Sequence, residues 1–222
     1  LRMRKLAILS EAIPTEPKLS PCDPRYDGVA HDLGDNHVIH LGRIPSDLVP
    51  SDGDFERFWG MRPAEFPELR VQGKLVRAPR WQHAFGHGYR YSGQLAAADP
   101  VPSEFAPYLA WVRDVIDERI NGILVNWYDG QLKHYIGRHR DSRHGLVQGA
   151  PITTLSFGEE RVFRLRPWRG GVSVLDYPVP PGTVVVLPYD TNLAWTHEVP
   201  HSARYRGRRI SLTFRAFDDR KS

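Results

Sequence analysis

The sequence predicts a mainly β chain of α+β class, a sandwich or barrel core with supporting helices. Three observations carry that prediction. From Ile123 onward, short apolar runs alternate with turn signals, the pattern of a sandwich or barrel, of which the double-sheet jelly roll is one form. Ahead of them, Ser103 to Ile120 holds one clear amphipathic stripe. The 222 residues are 41% hydrophobic and 25% charged, enough apolar material for a sizeable core without staples.

Taken in order, residues 1–36 read as an irregular arm, because Pro14, Pro17, Pro21 and Pro24 punctuate it and no period persists. The start, Leu1 to Ser10, shows no signal-peptide core or cleavage site and is read as mature chain. His37 to Leu41 is a strand candidate. The run Ser51-Asp52-Gly53-Asp54 is a helix start signal ahead of Phe55 and Trp59. Leu69 to Val76 around Gly73, and the aromatic-rich Trp81 to Gly93, suit a two-stranded flap or lid. In the helix from Ser103 to Ile120, Phe105, Leu109, Val112, Ile116 and Ile120 share a stripe. Ser103 is its expected N-cap, and Asn121-Gly122 its end. Strands then follow at Ile123–Tyr128, Ile152–Phe157 before Gly158, Arg161–Arg166, Val172–Leu175, Val184–Leu187 and Ile210–Phe217.

Composition bounds the chemistry. The lone cysteine, Cys22, excludes an internal disulfide and a cysteine-rich zinc site, which fits an intracellular, cytoplasmic or nuclear, setting. No apolar run approaches the ~20 residues of a membrane helix, so no membrane partner is expected. Net charge is +4 and the pI is near 9.3. That balance attracts polyanions such as nucleic acid, though so modest an excess also serves ordinary solubility.

The chemistry-bearing residues begin at His139-Arg140-Asp141. Alternate residues of an extended segment share a face, so one imidazole and one carboxylate can meet a single cation. His-x-Asp is common by chance. A second histidine, His197, lies 56 residues beyond Asp141, after several strands. Two histidines and a carboxylate that leave other positions open mark non-haem iron(II) oxygenases, although zinc accepts the same ligands. In Arg209-Ile210-Ser211-Leu212-Thr213-Phe214-Arg215 the even positions are apolar and face a core, while Arg209, Ser211, Thr213 and Arg215 share the other face. An inward arginine there needs an anion, and guanidinium groups bind carboxylates through paired hydrogen bonds. A solvated face is the plainer alternative. Because such a strand spans ~20 Å, two arginines serve one small dicarboxylate only if their arms converge.

Together these residues resemble the AlkB family of iron(II)/2-oxoglutarate dioxygenases, from about Val71 to Phe217. The resemblance is carried by Asn126-Trp127-Tyr128, His139-Arg140-Asp141, Pro151-Ile152 through Leu155-Ser156-Phe157-Gly158, His197, and Arg209 to Arg215. It implies a double-stranded β-helix (jelly roll) core at 97–222, a substrate-recognition lid region at 37–96 and the arm at 1–36. It implies iron(II) on His139, Asp141 and His197, with dioxygen and 2-oxoglutarate as co-substrates. Arg209 would pair with the distal carboxylate of 2-oxoglutarate, helped by Asn126 and Tyr128, and Arg215 would lie near its chelating end. Ser211 stands where the family usually has asparagine, which weakens one co-substrate contact. His201 is expected to be supporting or superficial.

On the substrate side, Val71-Gln72-Gly73-Lys74, Ala78-Pro79-Arg80 and Tyr89-Arg90-Tyr91-Ser92-Gly93 are similar to the lid of nucleic-acid-repair members. Tyr91 would stack on a target base opposite His139, and Tyr89 would border the pocket with Ser92 beside it. Lys74, Arg77, Arg80 and Arg90 would meet phosphates. The family's reaction is oxidative demethylation of N-alkylated bases, releasing formaldehyde, succinate and carbon dioxide, on a base that is flipped out or single-stranded. Two departures bear on the substrate. Gln72 stands where duplex-repairing relatives carry an aromatic wedge, which favours single strands. Ser142-Arg143 replaces an acidic stretch after the metal motif; Arg143 would oppose a cationic base if it pointed inward, and would otherwise face a phosphate of the substrate. A hydroxylase or demethylase acting on RNA, protein or a small metabolite is the second reading, and an inactive nucleic-acid-binding module the third. A monomer is expected.

Overall fold

The computed structural model describes residues 27–71, 74–91, 94–171 and 173–218, with backbone only at 69–71, 89–91 and 94–96. In chain order the strands are β1 (Asp27–Gly34), β2 (His37–Arg43), β3 (Glu68–Val71), β4 (Lys74–Arg77), β5 (Trp81–Phe85), β6 (Tyr89–Tyr91), β7 (Gln94–Ala96) and β8 (Ala98–Asp99). They continue as β9 (Gly122–Asp129), β10 (Ile136–His139), β11 (Ile152–Gly158), β12 (Arg161–Pro167), β13 (Leu175–Val179), β14 (Thr183–Leu187), β15 (Trp195–Val199) and β16 (Arg208–Arg215). Three α-helices join them: α1 (Asp52–Gly60), α2 (Ala106–Val115) and α3 (Tyr189–Ala194).

A major sheet of eight strands runs in the order β1-β2-β14-β11-β16-β9-β5-β8, and a minor sheet in the order β10-β15-β12-β13. Alternation along the major sheet assigns its two faces. Ile123, Val125, Trp127, Leu155, Phe157, Val184, Val186, Ile210, Leu212 and Phe214 face outward. There they pack against Phe58 and Trp59 of α1 and Tyr108 and Val112 of α2. Ile39, Ile152, Val185 and Leu187 face inward and meet Phe163, Leu165, Val179 and Trp195 of the minor sheet. The product is a helix–sheet–sheet stack whose inter-sheet layer is apolar at one end only. The expected jelly-roll arrangement of two facing sheets is what is found.

Local signals explain several boundaries. Ser51 caps α1 in a capping box: its hydroxyl accepts from the Asp54 N–H, and the Asp54 carboxylate accepts from the Ser51 N–H. Gly158 ends β11 at φ +81, where a Cβ would sit 2.3 Å from the Arg208 carbonyl oxygen. The β16 alternation holds, and both of its faces are buried.

Other expectations need correction. The arm was expected to be irregular through residue 36, yet 27–34 form β1, an edge strand of the major sheet. Asp35 and Asn36, with φ of 52 and 62, turn the chain into β2. Edge strands need little apolar alternation, so periodicity missed it. Residues 1–26 lie outside the described residues. The 37–96 region is not one lid either, since β2 and β5 belong to the major sheet. Only the hairpins β3–β4 and β6–β7 stand apart. The helix is shorter than the stripe: α2 starts after Phe105 with a proline in its first turn, and Ser103 bonds Glu104 instead of capping. It ends early because Asp117 folds back to accept from the Arg119 N–H and side chain. The short strand at Val172–Leu175 is displaced to Leu175–Val179, and Val172 lies outside the described residues. No helix among the described residues is long and apolar enough to cross a membrane.

Candidate metal centre and co-substrate cavity

β10 and β15 are antiparallel neighbours, and His139 pairs directly with His197. That register puts the two imidazoles on one face, their ring centroids 4.3 Å apart. Asp141, two residues past His139, brings its Oδ1 to 3.9 Å from His139 Nε2. One donor atom from each of His139, Asp141 and His197 lies within 4.8 Å of the others. His139 Nδ1 lies 2.8 Å from the Gly137 carbonyl oxygen, to which it donates, leaving Nε2 as the ligand lone pair. His197 Nδ1 is buried with no hydrogen-bond partner, and its ring stacks on Phe163 at 5.5 Å.

The charges suit a cation. Burial alone would raise the Asp141 carboxyl. The Arg215 guanidinium and then the two imidazoles override it and hold Asp141 well below the usual carboxylate range. Arg215 Nε and Nη2 both donate to Asp141 Oδ2, at 3.0 and 2.8 Å. Burial, with His139 beside it, pushes the His197 imidazole down to about 3. Burial also lowers His139. Two neutral imidazoles and one carboxylate therefore stand ready as ligands near neutral pH.

The inner face of the major sheet supplies the rest of a cavity of about 720 Å³. Asn126, Tyr128, Arg209, Ser211 and Arg215 all line it with the three ligands. Arg209 is 2% exposed. Its Nε donates to Ser156 Oγ at 2.9 Å, its guanidinium lies 4.9 Å from the Tyr128 ring centroid, and its Nη1 is buried with no partner. Among the described residues no carboxylate pairs with it. Register places Arg209 opposite Tyr128, and Ser211 opposite Asn126. The two strand arginines therefore do different work. Arg215 is committed to Asp141, while Arg209 keeps a buried cationic donor for an outside anion. A solvated β16 face is excluded by this burial. A more open groove of about 940 Å³ runs along α2 and holds none of the metal-ligand candidates.

The substrate-side residues separate. Arg80 was expected at a phosphate, but it is buried in the cavity wall. Its Nε donates to Asn126 Oδ1 at 2.7 Å and its Nη2 to Gln82 Oε1 at 2.8 Å. β5 pairs with β9 so that Gln82 opposes Asn126, and this pairing turns Arg80 inward. Lys74 and Arg77 are exposed on β4. Arg143 is exposed and absent from the cavity wall, whereas Ser142 lines it. Tyr89 and Tyr91 lie on β6, where only the backbone is described; Gln72 and Ser92 lie outside the described residues. His201 is exposed, its ring centroid 5.6 Å from that of Tyr135.

One contributor escaped the sequence. Asn192 in α3 is 1% exposed. Its Oδ1 accepts from the Asp141 N–H at 3.0 Å and its Nδ2 donates to the Asp141 carbonyl at 3.1 Å. Thr191 donates to the Val38 carbonyl of β2. The metal motif is thus fixed through α3 to the major sheet. Only a lone asparagine beside a threonine signalled it.

A jelly roll that gathers two neutral histidines, one ionised aspartate and a buried guanidinium with no carboxylate partner among the described residues in one cavity defines a metal-dependent enzyme with an anionic co-substrate. A model of the 2OG-Fe(II) oxygenase superfamily matches residues 50–215. The human DNA oxidative demethylase ALKBH2 is 33% identical over 202 residues, covering 84% of this chain and 74% of that protein. The rat alpha-ketoglutarate-dependent dioxygenase alkB homolog 3 is 30% identical over 137 residues, covering 56% of this chain and 46% of that protein. A solved structure, that of OsALKBH1, superposes with a TM-score of 0.56 at 15% identity, covering 84% of this chain and 99% of that chain, a likeness of fold. The chain belongs to the AlkB family of 2-oxoglutarate- and iron(II)-dependent dioxygenases.

Proposed function

We propose that this chain oxidatively demethylates N-methylated nucleic-acid bases, on single strands in preference to duplexes. The observation that carries the reading is the pairing of a His139–Asp141–His197 centre with the unpartnered, buried Nη1 of Arg209 in one cavity. The donors fit the implied groups. His139, Asp141 and His197 would hold iron(II), consistent with the unpartnered His197 Nδ1 and the ionised Asp141. Arg209 would hold the distal carboxylate of 2-oxoglutarate, with Tyr128, Asn126 and Ser211 along its length.

Held by these residues, iron(II) and 2-oxoglutarate would supply oxidation of an N-methyl carbon by one dioxygen, with succinate, carbon dioxide, formaldehyde and the restored base as products. The chain's own residues position and insulate. Arg215 keeps Asp141 ionised and aimed. Asn126 gives its carbonyl oxygen to Arg80, which leaves its Nδ2 as a donor toward the cavity. Leu124, Ile152, Phe163, Val185 and Leu187 give the cavity an apolar wall that limits water.

Two features support the substrate class. The 33% identical human relative bears the name DNA oxidative demethylase. Arg143 is exposed and outside the cavity wall, so it does not oppose a cationic methylated base there. Gln72, in place of an aromatic wedge, favours strands that need no invasion. The test is incubation of the iron-loaded chain with 2-oxoglutarate and methylated single- or double-stranded oligonucleotides, measuring base restoration and succinate together. Restoration with matching succinate, faster on single strands, is expected. Succinate with untouched bases would transfer the reading to another substrate class. Absence of both products would refute it.

A further inference from the structure

Trp168, just after β12, has no part in the site above. It is 44% exposed. The Arg140 guanidinium nevertheless sits 4.0 Å from its ring centroid. Arg138 reaches the same place: its Nη2 donates to the Pro167 carbonyl at 2.7 Å and its Nε to Thr196 Oγ1 at 2.8 Å. Arg140 donates to the Leu193 carbonyl. Both arginines are among the residues lining the cavity, on either side of His139; Trp168 is not part of that lining but lies against Arg140.

The neighbouring strand arginines differ in their partners. On β12 itself, Arg164 pairs with Asp176 and Arg166 with Glu198. Arg138 and Arg140 bond only neutral acceptors, and among the described residues no carboxylate pairs with either. Two unneutralised guanidinium groups beside an exposed indole form an anion site with a flat aromatic wall. A phosphate suits the first part, because guanidinium groups bind its oxygens in pairs. A nucleobase suits the second, because every base offers a π face.

We propose that Trp168, Arg138 and Arg140 form a nucleotide subsite beside the cavity. A base neighbouring the target stacks on the open part of the Trp168 indole, and its phosphate meets the two arginines. The subsite favours a single strand, whose bases can splay apart, over a duplex, whose bases already stack on each other. This inference rests on the nucleic-acid reading given above.

The test is fluorescence anisotropy with a labelled, methylated single-stranded oligonucleotide and, separately, competition by a methylated mononucleotide. Trp168→Ala is expected to raise the oligonucleotide Kd about 5- to 150-fold, the range for loss of one base–aromatic stack. Trp168→Phe should recover most of that loss, and the mononucleotide should be affected far less. Arg138→Gln should lower the slope of log Kd against log salt by about one. An oligonucleotide Kd within twofold of wild type for Trp168→Ala, with its melting temperature retained, overturns the subsite. Tighter binding of a labelled acidic peptide than of the oligonucleotide also overturns it. Failure of the unaltered chain to bind or demethylate any oligonucleotide sinks the substrate reading itself, and is told apart because wild-type binding is then missing.

Discussion

Asn192→Ala should loosen the metal centre without touching a ligand. The side-chain amide makes two hydrogen bonds to the backbone of Asp141, at 3.0 and 3.1 Å. Both residues are buried. Each lost bond costs about 1 kcal/mol, and each backbone group left buried and unsatisfied costs up to about 3 kcal/mol. A total of about 2–6 kcal/mol follows, or a fall of about 4–24 °C in Tm for a chain of this size. The decisive effect is on the metal. Removing a group that orients a ligand typically weakens metal affinity about 10- to 100-fold. Manganese(II) titration followed by electron paramagnetic resonance reads that affinity, and thermal unfolding of metal-free protein reads the stability. A lowered Tm with unchanged manganese affinity would refute the positioning argument, because the asparagine would then serve the fold alone.

Further outcomes follow from the same geometry. Arg209→Met should raise the KM for 2-oxoglutarate about 10- to 150-fold, the worth of a charge-assisted hydrogen bond, and steady-state kinetics at varied co-substrate check it. Arg209→Lys should recover only part, since one ammonium replaces a fork. Burial lowers the His134 imidazole below its usual 6.5. The unfolded chain therefore takes up a proton that the folded chain refuses, so His134 costs stability as pH falls below about 6.5, by up to about 1.4 kcal/mol per pH unit. Denaturant titrations from pH 7.5 to 5 should show a shallower acid decline for His134→Gln, and an unchanged decline would remove His134 as a source.

The sequence carried the site better than its surroundings. His139 and Asp141 were legible because alternate residues of an extended segment share a face, even though β10 itself ends at His139. The β16 residues were legible because the alternation from Arg209 to Arg215 is unbroken. What those arginines do was not legible, since spacing says nothing of which anion each reaches. Only the structure shows Arg215 on Asp141 and Arg209 with a donor to spare. The inward turn of Arg80 depends on β5 pairing with β9, a contact between segments more than 40 residues apart, as in Gln82 opposite Asn126. Asn192 sits in a six-residue helix too short to show a period. β1 escaped for the opposite reason: an edge strand needs few apolar residues, and its turn residues, Asp35 and Asn36, were the readable signal.

His139, Asp141 and His197 are the residues that would hold the iron working with 2-oxoglutarate. The most direct measurement of that role is formaldehyde, succinate and restored base counted together for the iron-loaded chain and for Asp141→Ala, on a methylated single-stranded oligonucleotide. One formaldehyde and one succinate per restored base are expected for the unaltered chain, dependent on iron and 2-oxoglutarate, and no product from Asp141→Ala. Full turnover by Asp141→Ala, or base restoration without added iron in the presence of a chelator, would contradict it.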